Sequence, residues 1–377
     1  MPAIPKVNHP VLAVASAAGV GLLMVVGNTG FWPMPNLSLQ FAVSQSLARV
    51  PFRDPTAHYL FFNYLEPALF GLLGGKSLIA YLVYALAVSL CFFGLFAVWF
   101  VRYHGPRVAV GEWKILPALT FPVFMLPFYW IGMDGMTLLL MLLVMITLQS
   151  RWVVLPALLL GLQHADQGML AFAVLAGTLV LSLIVKRDRE TLKPLTQTLL
   201  ALAGVVAGML ILDVWFAVGN VGIAGDRSTY LQTYYQVFLG SWGQSWPVIA
   251  WSLFGIAWVL VLREARTLWP ILVAGAVVFI SLVIVGDQTR VGVILLFPSL
   301  FFWVMMNRAI WTRLGRLSSA AIVVAYLLIP VVVVWGRPFV GSLWRYDVSV
   351  ARHVLAHGAS GQQFDWTLPF HAAPSPK

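Results

Sequence analysis

The stretch LPALLLGLQHADQGMLAFAVLAGTLVLSLIV, residues 155–185, decides how this chain is read. It is apolar except at His164-Ala165-Asp166-Gln167, with Arg151 ahead of it and Lys186-Arg187-Asp188-Arg189-Glu190 behind. As one straight helix from Trp152 it would run about 50 Å, against roughly 30 Å of bilayer hydrocarbon. As a hairpin it crosses twice, with both basic flanks on one side and the polar tetrad at the turn opposite. Basic residues beside crossings favour the cytoplasm. The hairpin is therefore expected, with His164 and Asp166 on the outer side.

Working outward, 60% of the 377 residues are hydrophobic, only 10% are charged, and mean hydropathy is +0.89. That composition excludes a water-soluble domain and gives an all-α polytopic membrane protein. The net charge of +10 does not imply nucleic acid, because most basic residues fall in short loops between spans, where topogenesis and anionic lipid explain them. The one cysteine, Cys91, lies inside an apolar run and rules out a disulfide framework or a thiolate metal site. The first apolar run reads as a crossing and not as a cleaved signal.

Taken in order, crossings are expected at Val11–Gly27, Ser77–Val101, Ile115–Gly132, Met136–Gln149, the two arms of the hairpin, Leu195–Gly219, Trp246–Leu262, Trp269–Val285, Val291–Met306 and Ala320–Trp335. That is about eleven spans of bilayer length or slightly less, with the N-terminus cytoplasmic. Residues 1–340 form one transmembrane domain, with outer loops at 28–75 and 220–245, and 341–377 form a short periplasmic tail. The first outer loop should carry amphipathic helices at the interface, and Asp54-Pro55 suits a helix start. No internal repeat is visible, which counts against a transporter built from paired halves.

Sidedness then sorts the charges. Each inter-span loop on the cytoplasmic side is basic, whereas Asp54, Glu66, Asp134, Asp166, Asp213, Asp226 and Asp287 all fall on the outer side. Acidic residues barely influence orientation, so topogenesis does not explain this gathering. Met136–Gln149 and Trp152–Gln163 hardly reach across the bilayer, and polar residues at their outer ends must line protein or a watery cavity. An outward-facing recess is expected, walled by Asp134, His164, Asp166, Asp287 and Arg290.

Each feature also has a plain structural reading. Asp166 can cap the next helix, Asp134 can cap its own, and Gly286-Asp287-Gln288-Thr289-Arg290 can be a turn closed by an Asp–Arg pair. The chemical reading makes Asp54, Glu66, Asp134 and Asp166 candidate general bases. It makes Arg290, helped by His164, Arg53 and Asp287, the phosphate-binding group, since a desolvated arginine binds phosphate in bidentate fashion. A divalent cation, Mg²⁺ or Mn²⁺, on the outer aspartates is an open alternative. The aromatic residues of the first loop and of Tyr230–Trp246 suit sugar stacking or interface anchoring.

Many spans, an inside N-terminus, a long first outer loop with acidic residues and a short outer loop carrying Arg290 together resemble the GT-C superfamily of membrane glycosyltransferases. The resemblance is architectural and covers roughly residues 1–340. It implies a polyprenyl-phosphate sugar donor, a glycan or lipid acceptor, surrounding membrane lipid, and an active side facing the periplasm of a bacterial inner membrane. By position the base would be Asp54, with Glu66 as substitute. No adjacent acidic pair follows the first span, Asp54 lies further from that span than is usual in the superfamily, and no large external domain follows. A polysaccharide polymerase or ligase, or a transporter of a lipid-linked substrate, are the rival expectations.

Overall fold

Inside hydrocarbon every backbone N–H and C=O must be bonded within the protein, so apolar runs of span length become helices. The computed structural model describes residues 10–29, 37–49, 63–187, 189–221, 227–329, 332–334 and 338–340. Its helices are α1 (Pro10–Thr29), α2 (Leu37–Ser44), α3 (Leu65–Leu72), α4 (Leu78–His104), α5 (Ile115–Leu119), α6 (Pro122–Tyr129), α7 (Met133–Thr147) and α8 (Val154–Lys186). They continue as α9 (Leu192–Val218), α10 (Arg227–Phe254), α11 (Trp258–Arg263), α12 (Trp269–Ser281), α13 (Gln288–Leu300), α14 (Arg308–Arg313) and α15 (Arg316–Leu328). A short antiparallel pair, β1 (Val332–Val334) with β2 (Pro338–Val340), follows.

Among the described residues, five helical stretches are long and apolar enough to cross a bilayer: Leu78–His104, Arg151–Lys186, Leu192–Val218, Tyr234–Arg263 and Gln288–Met305. Shorter apolar helices lie at Val14–Met24, Met133–Thr147, Trp269–Ile284 and Arg316–Leu328. The chain is a helical membrane protein. Burial separates the helices by role: 78% of the apolar window of the Gln288–Met305 span is inside the protein, against 33% for α4 and for α9. So α13 is the central helix, and α4 and α9 turn much of their surface outward.

The 155–185 stretch is formally one helix, but His164 sits at φ −161°, ψ 77° and interrupts it. A Cβ on Gly168 would stand 3.1 Å from the Leu160 side chain, whereas eight residues of unbroken helix would separate the two by about 12 Å. The backbone therefore folds sharply back at His164. Both arms lean on α9. Gly204 meets Ala157, Gly208 meets the Leu158 carbonyl, and Gly161 meets the Val205 carbonyl so closely that no side chain fits at any of the three. Gly168 on the returning arm touches Val205. Small residues let the backbones approach.

Two sequence expectations need correction. Residues 220–245, read as an outer loop, are helical from Arg227 onward. The Tyr- and Gln-rich composition looked loop-like, yet these residues carry no helix-breaking property, and Pro247 is accommodated within α10. The run Ile115–Gly132 is also not one helix. Pro122 opens α6 and holds Phe121 extended, at ψ 136°, because the residue before proline avoids the helical region. The expected amphipathic segment at 36–50 contains α2, and Glu66 lies in the first turn of α3.

α7 and α13 start side by side, and the first turn of α7 packs on Ser89 partway along α4; Phe96 and Phe124 (ring centroids 4.1 Å apart) and Trp99 and Phe301 (4.2 Å) fill the space towards the other end. At the far end His104 Nε2 bonds the Met305 carbonyl at 2.8 Å, Tyr103 Oη donates to Met306 O at 3.0 Å, and Arg308 donates to Tyr103 O at 2.7 Å. Arg102, Arg308 and Arg313 lie at this end, where Glu264 pairs with Arg313 at 3.2 Å. Asp134 and Asp287 lie at the other, paired with Arg290.

Candidate functional site

The site is assembled at the common starting end. Gly132 adopts φ +153°, ψ −141°, a backbone state open to glycine, and it launches α7 so that Asp134 falls in the first turn. The first turn of α13 places Arg290 opposite. Gln288 anchors that turn, donating to Phe238 O at 3.1 Å and Leu282 O at 3.3 Å.

Arg290 grips Asp134 with two bonds, Nε to Oδ2 at 2.5 Å and Nη2 to Oδ1 at 2.7 Å, and Asp287 with a third, Nη1 to Oδ2 at 2.9 Å. Its guanidinium lies 5.7 Å from the Trp130 ring centre, a cation–π distance. Asp134 is fully buried, and Arg290 and Asp287 retain only 10% and 12% side-chain exposure. Asp134 is thus not a mere helix cap. It is half of a bidentate ion pair across 156 residues.

Glu66 stands next to this cluster. Its backbone N–H donates to Gln163 Oε1 at 2.8 Å, and Gln163 Nε2 donates onward to Met133 O at 3.3 Å. Gln163 therefore ties α3 to the first residue of α7, one position before Asp134. The Glu66 carboxyl is fully buried, and neither oxygen has a hydrogen-bond partner among the described residues. Burial, and secondarily the charge on Asp134, hold its pKa well above the ordinary glutamate range. The Tyr81 hydroxyl, also fully buried and unpartnered, lies within electrostatic reach of Glu66, as does Tyr84. Gln167 Oε1 and Asp287 Oδ1 are further buried acceptors without a donor among the described residues.

No family model, curated protein or solved structure matches this chain. Its site therefore has to be read from its own geometry.

Of the residues picked out in the sequence, Asp134, Asp287 and Arg290 are bonded together, and Glu66 lies within electrostatic reach of Asp134. His164 is buried at the break in α8, next to the Gln163 that bonds Glu66, and Asp166 is partly exposed two positions on. Arg53, Asp54 and Asp226 lie outside the described residues. Asp213 is exposed on α9. Sequence reading passed over Gln163, Trp130 and Tyr81. Gln163 carried a signal, being a polar residue that ends the apolar arm ahead of His164. Trp130 and Tyr81 carried none.

The described residues of the site do not fit a divalent cation. Among the described residues no three His, Cys, Asp or Glu side chains are grouped to hold a metal, and Arg290 fills the space between Asp134 and Asp287. Counted with both carboxyls ionised, two carboxylates on one guanidinium give the triad a formal charge of −1. It can receive a proton or a cation beside Glu66. It is poorly suited to receive a phosphate, because Arg290 has already committed three of its nitrogen donors.

Proposed function

We propose that this chain is a glycosyltransferase that moves a sugar from a polyprenyl-phosphate carrier to an acceptor on the outer side of a bacterial inner membrane. The observation that carries this reading is the Glu66 carboxyl, buried with neither oxygen partnered among the described residues, beside the Asp134–Arg290–Asp287 triad. A desolvated carboxylate has heightened proton affinity and is the proper partner for an acceptor hydroxyl. The segregation of Arg102, Arg308 and Arg313 at the opposite end supports an outer position for the site.

In the reaction, Glu66 takes the acceptor hydroxyl proton as that oxygen bonds the anomeric carbon. The bond from the anomeric carbon to the phosphate oxygen breaks, and its electron pair departs with the polyprenyl phosphate. A single in-line displacement inverts the anomeric configuration. The triad fixes the wall behind Glu66, and its formal negative charge favours the proton's arrival. The leaving phosphate falls to His164 or Arg53 and not to Arg290.

Transfer from a polyprenyl-phosphate-linked sugar by the purified chain in nanodiscs tests this. Glu66→Gln should lower transfer at least a hundredfold, in line with general-base contributions. Full transfer by each of Glu66→Gln, Asp134→Asn, Asp166→Asn and Asp54→Asn would remove the mechanism.

One observation favours a second reading, proton-coupled transport of a lipid-linked substrate. A helix interrupted within an apolar run, with a buried titratable group beside the break, is the kind of feature on which transporters build sites. Proton-driven flux in proteoliposomes that depends on Glu66, without sugar transfer, would select it.

A further inference from the structure

The unpartnered polar atoms around Glu66 have a common character. Glu66 Oε1 and Oε2, Asp287 Oδ1, Gln167 Oε1 and Asn63 Oδ1 are buried acceptors lacking a donor among the described residues, and Tyr81 Oη can serve either way. Buried polar atoms are ordinarily bonded, so this set is completed by something that brings hydrogen-bond donors. The titratable groups within electrostatic reach of Glu66 are Asp134 from α7 and Tyr81 and Tyr84 from α4. Arg290 and Asp287 from α13 are held on Asp134, and His164 at the break in α8 is the neighbour in sequence of the Gln163 that bonds Glu66. α2 contributes no charged side chain. The Asp134–Arg290–Asp287 group has a formal charge of −1 with both carboxyls ionised, so an ionised Glu66 would place a second uncompensated charge in a buried site. Burial beside Asp134 therefore favours the acid form of Glu66 when nothing is bound. An anion entering here would be repelled, a neutral hydroxyl would leave Glu66 as an acid, and an ammonium would ionise it.

We infer that the position beside Glu66 and Tyr81 is a subsite for a protonated primary amine next to a hydroxyl, as on an amino sugar, and that the amine converts Glu66 from acid to carboxylate. The inference rests on the transferase reading and names its acceptor class. On binding, the Glu66 carboxylic acid loses its proton to solvent, and one carboxylate oxygen accepts a hydrogen bond from the ammonium, which keeps its own protons. The other oxygen is left for the neighbouring hydroxyl, whose proton it takes during transfer. A single carboxyl thus needs both of its oxygens available, and neither has a hydrogen-bond partner among the described residues. α3, which carries Glu66, is tied to α8 at this point through the Glu66–Gln163 bond.

The test is calorimetric titration of the full chain in phosphatidylcholine nanodiscs, which present no primary ammonium. The probes are methyl glucosaminide, methyl glucoside, methyl N-acetylglucosaminide, glucosamine phosphate and ethanolamine, each titrated in two buffers of different ionisation enthalpy. Methyl glucosaminide and ethanolamine should bind with release of one proton near neutral pH and at least tenfold more tightly than methyl glucoside. Glu66→Gln should abolish the proton release. Tyr81→Phe, which removes one hydroxyl and keeps the ring, should weaken binding several-fold while the release persists. The inference is overturned if methyl glucoside or glucosamine phosphate binds as tightly as methyl glucosaminide, if release persists in Glu66→Gln, or if ethanolamine binds and methyl glucosaminide does not, which would mark a lipid-headgroup site. Proton-releasing amine binding without sugar transfer sustains the subsite and defeats the transferase. Sugar transfer with no preference for the amine does the reverse.

Discussion

Replacing Arg290 with glutamine is the most informative single perturbation of this molecule. It removes three charge-assisted bonds of 2.5, 2.7 and 2.9 Å and leaves Asp134, fully buried, facing Asp287 with no cation between them. Taken separately, hydrogen bonds to charged groups contribute about 1.5–3 kcal/mol each, but that sum overstates the loss. One carboxyl can protonate, and the desolvation of the guanidinium is no longer borne by the fold. Breaking a buried pair by deleting one partner costs about 3–5 kcal/mol, and the variant should fall in that range. Asp134→Asn in the same background removes one of the stranded charges, so the double variant should recover part of the loss, with a coupling of about 1–3 kcal/mol. Reversible unfolding in mixed detergent–SDS micelles reads both quantities. Because the triad is buried, moderate salt should leave the difference unchanged. A Glu-free control is Asp213→Asn, on the exposed face of α9, which should match the parent. If Arg290→Gln stays within about 0.5 kcal/mol of the parent, the triad does not hold α7 to α13 and the site built on it is wrong.

The remaining predictions are quickly stated. Gly208→Ala sets a methyl against the Leu158 carbonyl and should destabilise the α8–α9 contact by about 1–3 kcal/mol, the usual cost of overpacking; Gly94→Ala, with open space around it, should not. Glu66 has a raised native pKa, so the folded state binds its proton more tightly than the unfolded chain does. Stability should therefore be highest below the unfolded value of about 4.3 and decline as pH rises toward the native value, and Glu66→Gln should flatten that slope. Trp130→Leu removes the ring over Arg290 and should cost about 0.5–2 kcal/mol. On a Cys91→Ala background, a cysteine at Arg308 should react with impermeant maleimide only from the cytoplasmic side, and one at Gly74 only from the outer side.

What could be read from the sequence follows the kind of force involved. Helices of span length were legible because hydrocarbon permits little else, and α1, α4, α9 and α12 start within a few residues of where composition places them. The fold-back at His164 was legible from length alone, since an unbroken helix is too long for the bilayer. α10 was not, because aromatic and amide side chains suit a loop surface and a polar helix equally well. In the site, Asp134 and Arg290 were singled out separately by charge in apolar surroundings, but their pairing spans 156 residues and depends on tertiary packing. That pairing also reverses Arg290's expected role, from a phosphate clamp to a cation already engaged. Gln163 and Tyr81 could not be ranked, since an amide or a phenol in a helix gains meaning only from what lies opposite.

The short arm before His164 has a consequence for how the protein is made. Val154–Gln163 extends only about 15 Å as a helix, so it cannot partition into lipid as an independent unit when it leaves the ribosome. Its packing surface, Gly204 and Gly208 on α9, is synthesised some forty residues later. Biogenesis must therefore hold this arm beside the insertion machinery until α9 arrives, and a chain released before residue 208 should present it to quality-control proteases as an unfinished segment.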